Sequence, residues 1–169
     1  PVLFYRYVFF RVRPSDLQPV FWVNMGAMSI SALAGSSLLS QVTGAEFVQD
    51  VLPVLRGLVL LYWAAATWWI PMLVVLGVWR HVVERFPLTY SPMYWGMVFP
   101  LGMYTVATHQ VARTIGVEWL RPVPKVCFAV ALVTWIAVFA GMVISLARQA
   151  IEGFRNMARH SRAPRPRAG

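Results

Sequence analysis

Long apolar runs alternate along the chain with short stretches that hold nearly every charge. Four runs, roughly Phe21 to Leu39, Gly57 to Val78, Met93 to Thr108 and Val126 to Leu146, each approach the ~20 residues that a bilayer-crossing helix needs. The pattern predicts an all-α integral membrane protein of about four spans. The opening segment PVLFYRYVFF lacks a basic leader region and a small-residue cleavage site. It reads as the end of a fifth, earlier helix, and the sequence is expected to be a late portion of a larger protein.

The spans differ in kind, and the difference alternates. The first holds Asn24, Gly26, Ser29, Ser31, Gly35, Ser36 and Ser37, and the third concentrates Gly96, Pro100, Gly102, Thr105 and Thr108. The second and fourth are dominated by large apolar residues, with Trp63, Trp68 and Trp69 in the second. Polar atoms inside a membrane need partners or water, so spans one and three are expected to be inner helices beside a polar path, and two and four a lipid-facing layer. The hairpins are therefore expected to repeat as inner-outer pairs. A packing reading stands beside this one. Ala27, Ser31 and Gly35, like Ala137, Gly141 and Ser145, recur at the four-residue spacing that close helix contact requires, and a serine can bond back to the carbonyl one turn earlier. Asn24 is harder to absorb, because its amide cannot satisfy itself on a helix.

Composition agrees with a membrane location: 59% hydrophobic residues, a mean hydropathy of +0.60 and 12% charged residues would make an aggregating surface in water. The net charge of +9 does not point to nucleic acid, because the basic residues lie at span ends and in the tail. They read instead as topology signals and lipid-headgroup contacts. Of the fifteen arginines and lysines, all but Arg56, Arg113, Arg121 and Lys125 fall on the face shared by the N-terminal segment, the loop after the second span and the tail. The positive-inside rule places that face and the C-terminus in the cytoplasm, in a multi-pass protein of the cytoplasmic membrane. Residues 1–150 are expected to form the transmembrane unit. Residues 151–169 are expected to form a basic cytoplasmic tail, helical along the membrane surface at first and ending in SRAPRPRAG, whose Pro-rich, basic composition is expected to leave it without a fold.

No catalytic constellation, cofactor motif or metal-ligand spacing is present, and Cys127 has no CxxC partner. Two alternatives to a transport role remain. One is a haem-bearing anchor of a redox enzyme, which fails on geometry because His81 and His109 end spans on opposite sides of the membrane and His160 lies in the tail. The other is a non-transporting structural subunit, supported by the small-residue ridges.

The sharpest local feature is Tyr90-Ser-Pro-Met-Tyr-Trp-Gly-Met-Val-Phe99-Pro100-Leu-Gly102. Ser91 before Pro92 is a helix-start signal. Pro100 frees the carbonyl of Gly96 and is expected to loosen the helix near mid-membrane. Phe99 then lies about 10 Å from the cytoplasmic start of the span, at a depth suited to an aromatic plug.

The stretch SPMYWGMVFPLGMYT, together with FWVNMGAMSISALAG, resembles the tellurite-resistance/dicarboxylate transporter family, which includes bacterial TehA-type proteins and the slow anion channels of plant guard cells. The likeness runs from Phe4 to about Ala150. It implies the C-terminal half of a ten-helix fold, in which five inner-outer hairpins surround a central anion pore, often as a homotrimer; the four spans here match helices seven to ten. It implies further that Phe99, followed by Pro100, is the residue that occludes the pore, and that the partners are small inorganic or organic anions and the lipid bilayer. Asn24, Gly26, Ser29, Ser31, Gly96, Gly102 and Thr105 are the candidates to line the path. Because both inner spans begin at the cytoplasmic face, their helix dipoles, with Arg13, Arg80 and Arg85, are expected to concentrate anions there.

Overall fold

The computed structural model describes residues 16–41 and 46–161, with side chains for 16–41 and 50–155. The N-terminal segment with Arg6, Arg11 and Arg13, the side chain of His160 and residues 162–169 of the tail lie outside the described residues. Four long helices make up the rest: α1 (Trp22–Gln41), α2 (Glu46–Val78), α3 (Trp95–Ile115) and α4 (Val123–Ser161). A turn at Pro19–Phe21 leads into α1, and a π-helical turn at Trp79–Val83 ends α2. Arg85, at φ 51°, then takes the left-handed conformation that turns the chain away from the helix axis.

The start of α3 forms as its residue types require. Pro92 opens a single turn, Pro92–Tyr94, and the Ser91 hydroxyl accepts the Met93 N–H at 3.4 Å. At the other end Gly116, at φ 75°, donates its N–H to Ala112 O and stops the helix. Pro100 lies inside α3, which continues on both sides of it. The 20 residues of α1 and the 21 of α3 each match the ~30 Å hydrocarbon thickness.

Side by side the order is α2, α1, α3, α4: α1 packs on both α2 and α3, and α4 on α3. The two polar helices therefore occupy the middle and the two apolar ones the flanks. Leu61, Trp68 and Val75 of α2 and Val126, Val133 and Ile136 of α4 are exposed, as a lipid-facing surface should be. Of the four helices, α2 (within Asp50–Val83) and α4 (within Glu118–Arg155) are long and apolar enough to cross a membrane by themselves. The expected spans one and three are long enough but less apolar, because Gly, Ser, Thr and Asn take positions that lipid-facing helices give to Leu and Val.

Small residues set the helix spacing. A Cβ on Gly26 would lie 3.0 Å from Cγ of Pro100, one on Gly35 2.5 Å from Cγ2 of Val59, and one on Gly96 3.3 Å from Cα of Val20. The proline ring, fully buried, thus seats in the notch that Gly26 leaves on α1. Two apolar clusters complete the interior, one around Met25, Ala66, Leu101, Tyr104 and Ala131, the other around Val59, Val111, Ala112 and Leu120.

Candidate functional site

Both middle helices leave one side uncovered. On α1 this is the row Val23, Ala27, Ile30, Ser31, Ala34 and Leu38, all exposed. On α3 it is Phe99, Val106 and Arg113, which recur every seven residues, with His109 beside them. Spacings of three, four and seven keep each row on one helix face. Phe99 is 61% exposed although its neighbour Pro100 is buried, so the ring stands out from a backbone fixed on the opposite side by Gly26. A Cβ on Gly102 would meet nothing within 4 Å, so the strip between Phe99 and Val106 has room beside it.

The other candidates divide by direction. Ser31 lies on the open row and its hydroxyl donates to Ala27 O at 3.1 Å, while Asn24, half-buried, sits at the edge of that row. Gly26 and Ser29 are buried between helices, and Ser29 donates to Met25 O at 2.8 Å. Thr105 is buried too and donates to Leu101 O at 2.9 Å, while Gly96 packs against Val20. The structure therefore brings Phe99, Gly102 and Ser31 onto uncovered faces, and uses Gly26, Ser29, Gly96 and Thr105 inside the helix contacts.

Sequence reasoning missed a polar network on the sealed side. Trp63 Nε1 donates to Thr108 Oγ1 at 3.1 Å, and Thr108 spends its one proton on Tyr104 O at 2.7 Å. Thr67 Oγ1 donates to Trp63 O at 2.8 Å, which obliges Tyr104 to donate to Thr67 across their 2.8 Å contact. Every proton in this α2–α3 clasp is used. Its signal in the sequence is a pair of aromatic-x3-Thr spacings, Trp63–Thr67 and Tyr104–Thr108, set among the large apolar residues of the second span and the small polar ones of the third.

Arg80 departs from the role expected for it at a cytoplasmic mouth. It is only 9% exposed; its guanidinium donates to Leu17 O, lies 4.3 Å from the centroid of the Phe86 ring, and leaves Nε without a partner. Its charge fastens the end of α2 to the segment that leads into α1. Next to it, His81 Nδ1 donates to Phe86 O at 3.0 Å, and His109 stands near the far end of α3. Among the described residues no group of three or more His, Cys, Asp or Glu is placed to hold a metal ion.

The described residues thus form an all-α unit with two apolar flanking helices and two polar central ones, each of which leaves a face uncovered. The chain belongs to the voltage-dependent anion channel family, whose sequence profile matches residues 1–143. This is the tellurite-resistance/dicarboxylate transporter group that the Phe99-Pro100 segment resembles. An uncharacterized membrane protein of Mycobacterium tuberculosis is 34% identical over 142 residues, 84% of this chain and 72% of that relative. Two uncharacterized transporters of Methanocaldococcus jannaschii are 27% and 26% identical over 69% and 66% of this chain. The matched part makes up 32% and 30% of their lengths, so the chain spans about a third of those transporters. No solved structure matches. The family consists of anion channels and transporters of membranes rather than enzymes.

Proposed function

We propose that the chain forms part of the wall of an anion-conducting pore, with α1 and α3 lining the path and Phe99 as its gate. The observation that carries this reading is the opposition of neighbours on α3: Pro100 is buried in the Gly26 notch while the adjacent Phe99 ring projects 61% exposed from the uncovered face. A packed proline gives the ring a fixed base, and an aromatic ring on such a base closes or opens a narrow path by rotating. Ser31 and Gly102 border the path on its open faces; Asn24 stands at its edge; Gly26, Ser29, Gly96 and Thr105 hold the lining helices together. Within residues 22–41 of α1 and 95–112 of α3 no carboxylate, lysine or arginine stands to bind an ion tightly, so passage relies on hydroxyls, helix ends and width.

The substrates on this reading are small inorganic or organic anions of the tellurite, sulfite or C4-dicarboxylate kind. The protein lies in the cytoplasmic membrane with its C-terminus inside, as the arginine bias supports. Residues 1–150 make the transmembrane unit, 151–169 the tail, and the whole assembles as a homotrimer.

Phe99→Ala in the complete protein tests the gate. A buried phenylalanine truncated to alanine costs ~3–5 kcal/mol, but this ring is largely exposed, so abundance in the membrane should change little. Anion conductance per molecule should rise. Unchanged or lower current at equal abundance refutes the gating role.

A further inference from the structure

The row Phe99, Val106, Arg113 does not stop at the aromatic ring. Arg113 lies fourteen residues beyond Phe99, about 21 Å along the helix, at the end of α3 away from the arginine-rich face. There a cleft of about 710 Å3 opens between the last turns of α3 and the start of α4, lined by His109, Ala112, Arg113, Arg121, Pro122 and Lys125. All the charged groups that line it are cationic and exposed. One carboxylate is close: Glu118 holds Arg121 at 2.7 Å, with the two side chains 73% and 69% exposed. Among the described residues no carboxylate pairs with Arg113 or Lys125, and the cleft is net positive. The end of the α3 dipole and the start of the α4 dipole meet there with opposite signs and largely offset, so the side chains decide its potential.

Two features separate this cluster from ordinary headgroup-binding arginines. His109 and Arg113 stand on the uncovered face of α3, in line with Phe99, and not on the surfaces where Trp68 and Ile136 meet lipid. Arg113 and Arg121 also come from two different elements and converge on one space, as two planar forks must to hold an anion with several oxygens.

We infer that this cleft is an anion-binding vestibule at the non-cytoplasmic end of the path, taking a small oxyanion or carboxylate between Arg113 and Arg121, with Lys125 adding a point charge. The inference rests on the pore reading for its place in transport, but it makes a binding claim of its own. A halide, with no oxygens to match the guanidinium forks, is held less well than an oxyanion of similar charge.

Equilibrium binding of radiolabelled sulfate to the complete protein, in nanodiscs of phosphatidylcholine, tests it without requiring flux. Saturable binding is expected. The double substitution Arg113→Gln with Arg121→Gln should weaken it at least about ten-fold, and chloride should compete poorly. Arg148→Gln, an exposed arginine on α4 far from the cleft, should leave the affinity unchanged. Arg113 and Arg121 are exposed, so the double variant should fold as the parent does, and elution as a single species checks this. No saturable binding, or an unchanged affinity in the double variant, overturns the vestibule. Loss of sulfate binding in phosphatidylglycerol nanodiscs assigns the cleft to a lipid headgroup and overturns it equally. Conductance of Phe99→Ala and sulfate binding can fail separately, so the gate and the vestibule are refuted by different results.

Discussion

Gly35→Ala adds a single methyl group where α1 meets α2. The new Cβ would stand 2.5 Å from Cγ2 of Val59 and 3.8 Å from Cδ1 of Leu55. The second distance is an ordinary contact; the first is shorter by about 1 Å than carbon atoms tolerate. Val59 is 1% exposed, and a β-branched side chain in a helix has one strongly preferred rotamer. Rotation therefore offers little relief, and α2 has to move away from α1. Overpacking of this kind costs about 1–3 kcal/mol, and about 1.4 kcal/mol is tenfold in an equilibrium. The assay is reversible unfolding of the complete protein in mixed micelles of dodecyl maltoside and SDS, followed by tryptophan fluorescence. Gly35→Ala should unfold at a lower SDS fraction. Val59→Ala alone leaves a void and also destabilises, but in the double variant the new methyl occupies the space the valine vacates. The double variant should therefore be more stable than the two losses added together, by at least about 1 kcal/mol. If Gly35→Ala unfolds with the parent protein, or the two losses simply add, the contact does not set the α1–α2 spacing.

The remaining predictions concern the clasp and the open face. Trp63→Phe or Thr108→Val should each cost roughly 0.6–1.7 kcal/mol in the same unfolding assay, and the double variant less than the sum, because both break the Trp63–Thr108 bond; strict additivity would refute that coupling. Cysteines placed at Ser31 and Val106 should react with aqueous thiol reagents faster than cysteines at Trp68 and Ile136, measured in membranes by gel shift. Equal rates at all four positions would refute the assignment of inner and outer helices.

The helices were legible in the sequence where their composition was one-sided. The second and fourth apolar runs mark α2 and α4 because lipid-facing residues have to be apolar all round. Helix ends were less so for α2, which begins at Glu46 and not near Gly57, whereas α4 runs past Leu146 to Ser161, as the helical spacing of the first tail residues implies. The α2 helix runs through EFVQDVLPVLR, Pro53 included, a charge-bearing segment that hydropathy alone reads as loop. In the middle helices the residue types announced an inner position, but not what each polar atom would do. Ser29 and Ser31 are chemically alike and two residues apart, which turns one about 200° from the other. Ser29 is buried in the contact with its neighbours and Ser31 is on the open row, a difference fixed only by where α2 and α3 pack. Arg80 shows the same limit for charge, since nothing in its sequence neighbourhood indicates that it bonds Leu17 O, sixty-three positions away.

The seat of Pro100 on Gly26 has a consequence for how this protein can change over generations. Any residue other than glycine at position 26 brings a Cβ to within 3.0 Å of the proline ring, whose cyclic geometry allows it almost no retreat. A lineage that retains Pro100 therefore accepts a larger residue at 26 only by moving α1 and α3 apart by a few tenths of an ångström, a shift that a lineage without the proline does not need. Across seventy-four residues of sequence, drift in α1 is thus restrained by a ring that belongs to α3.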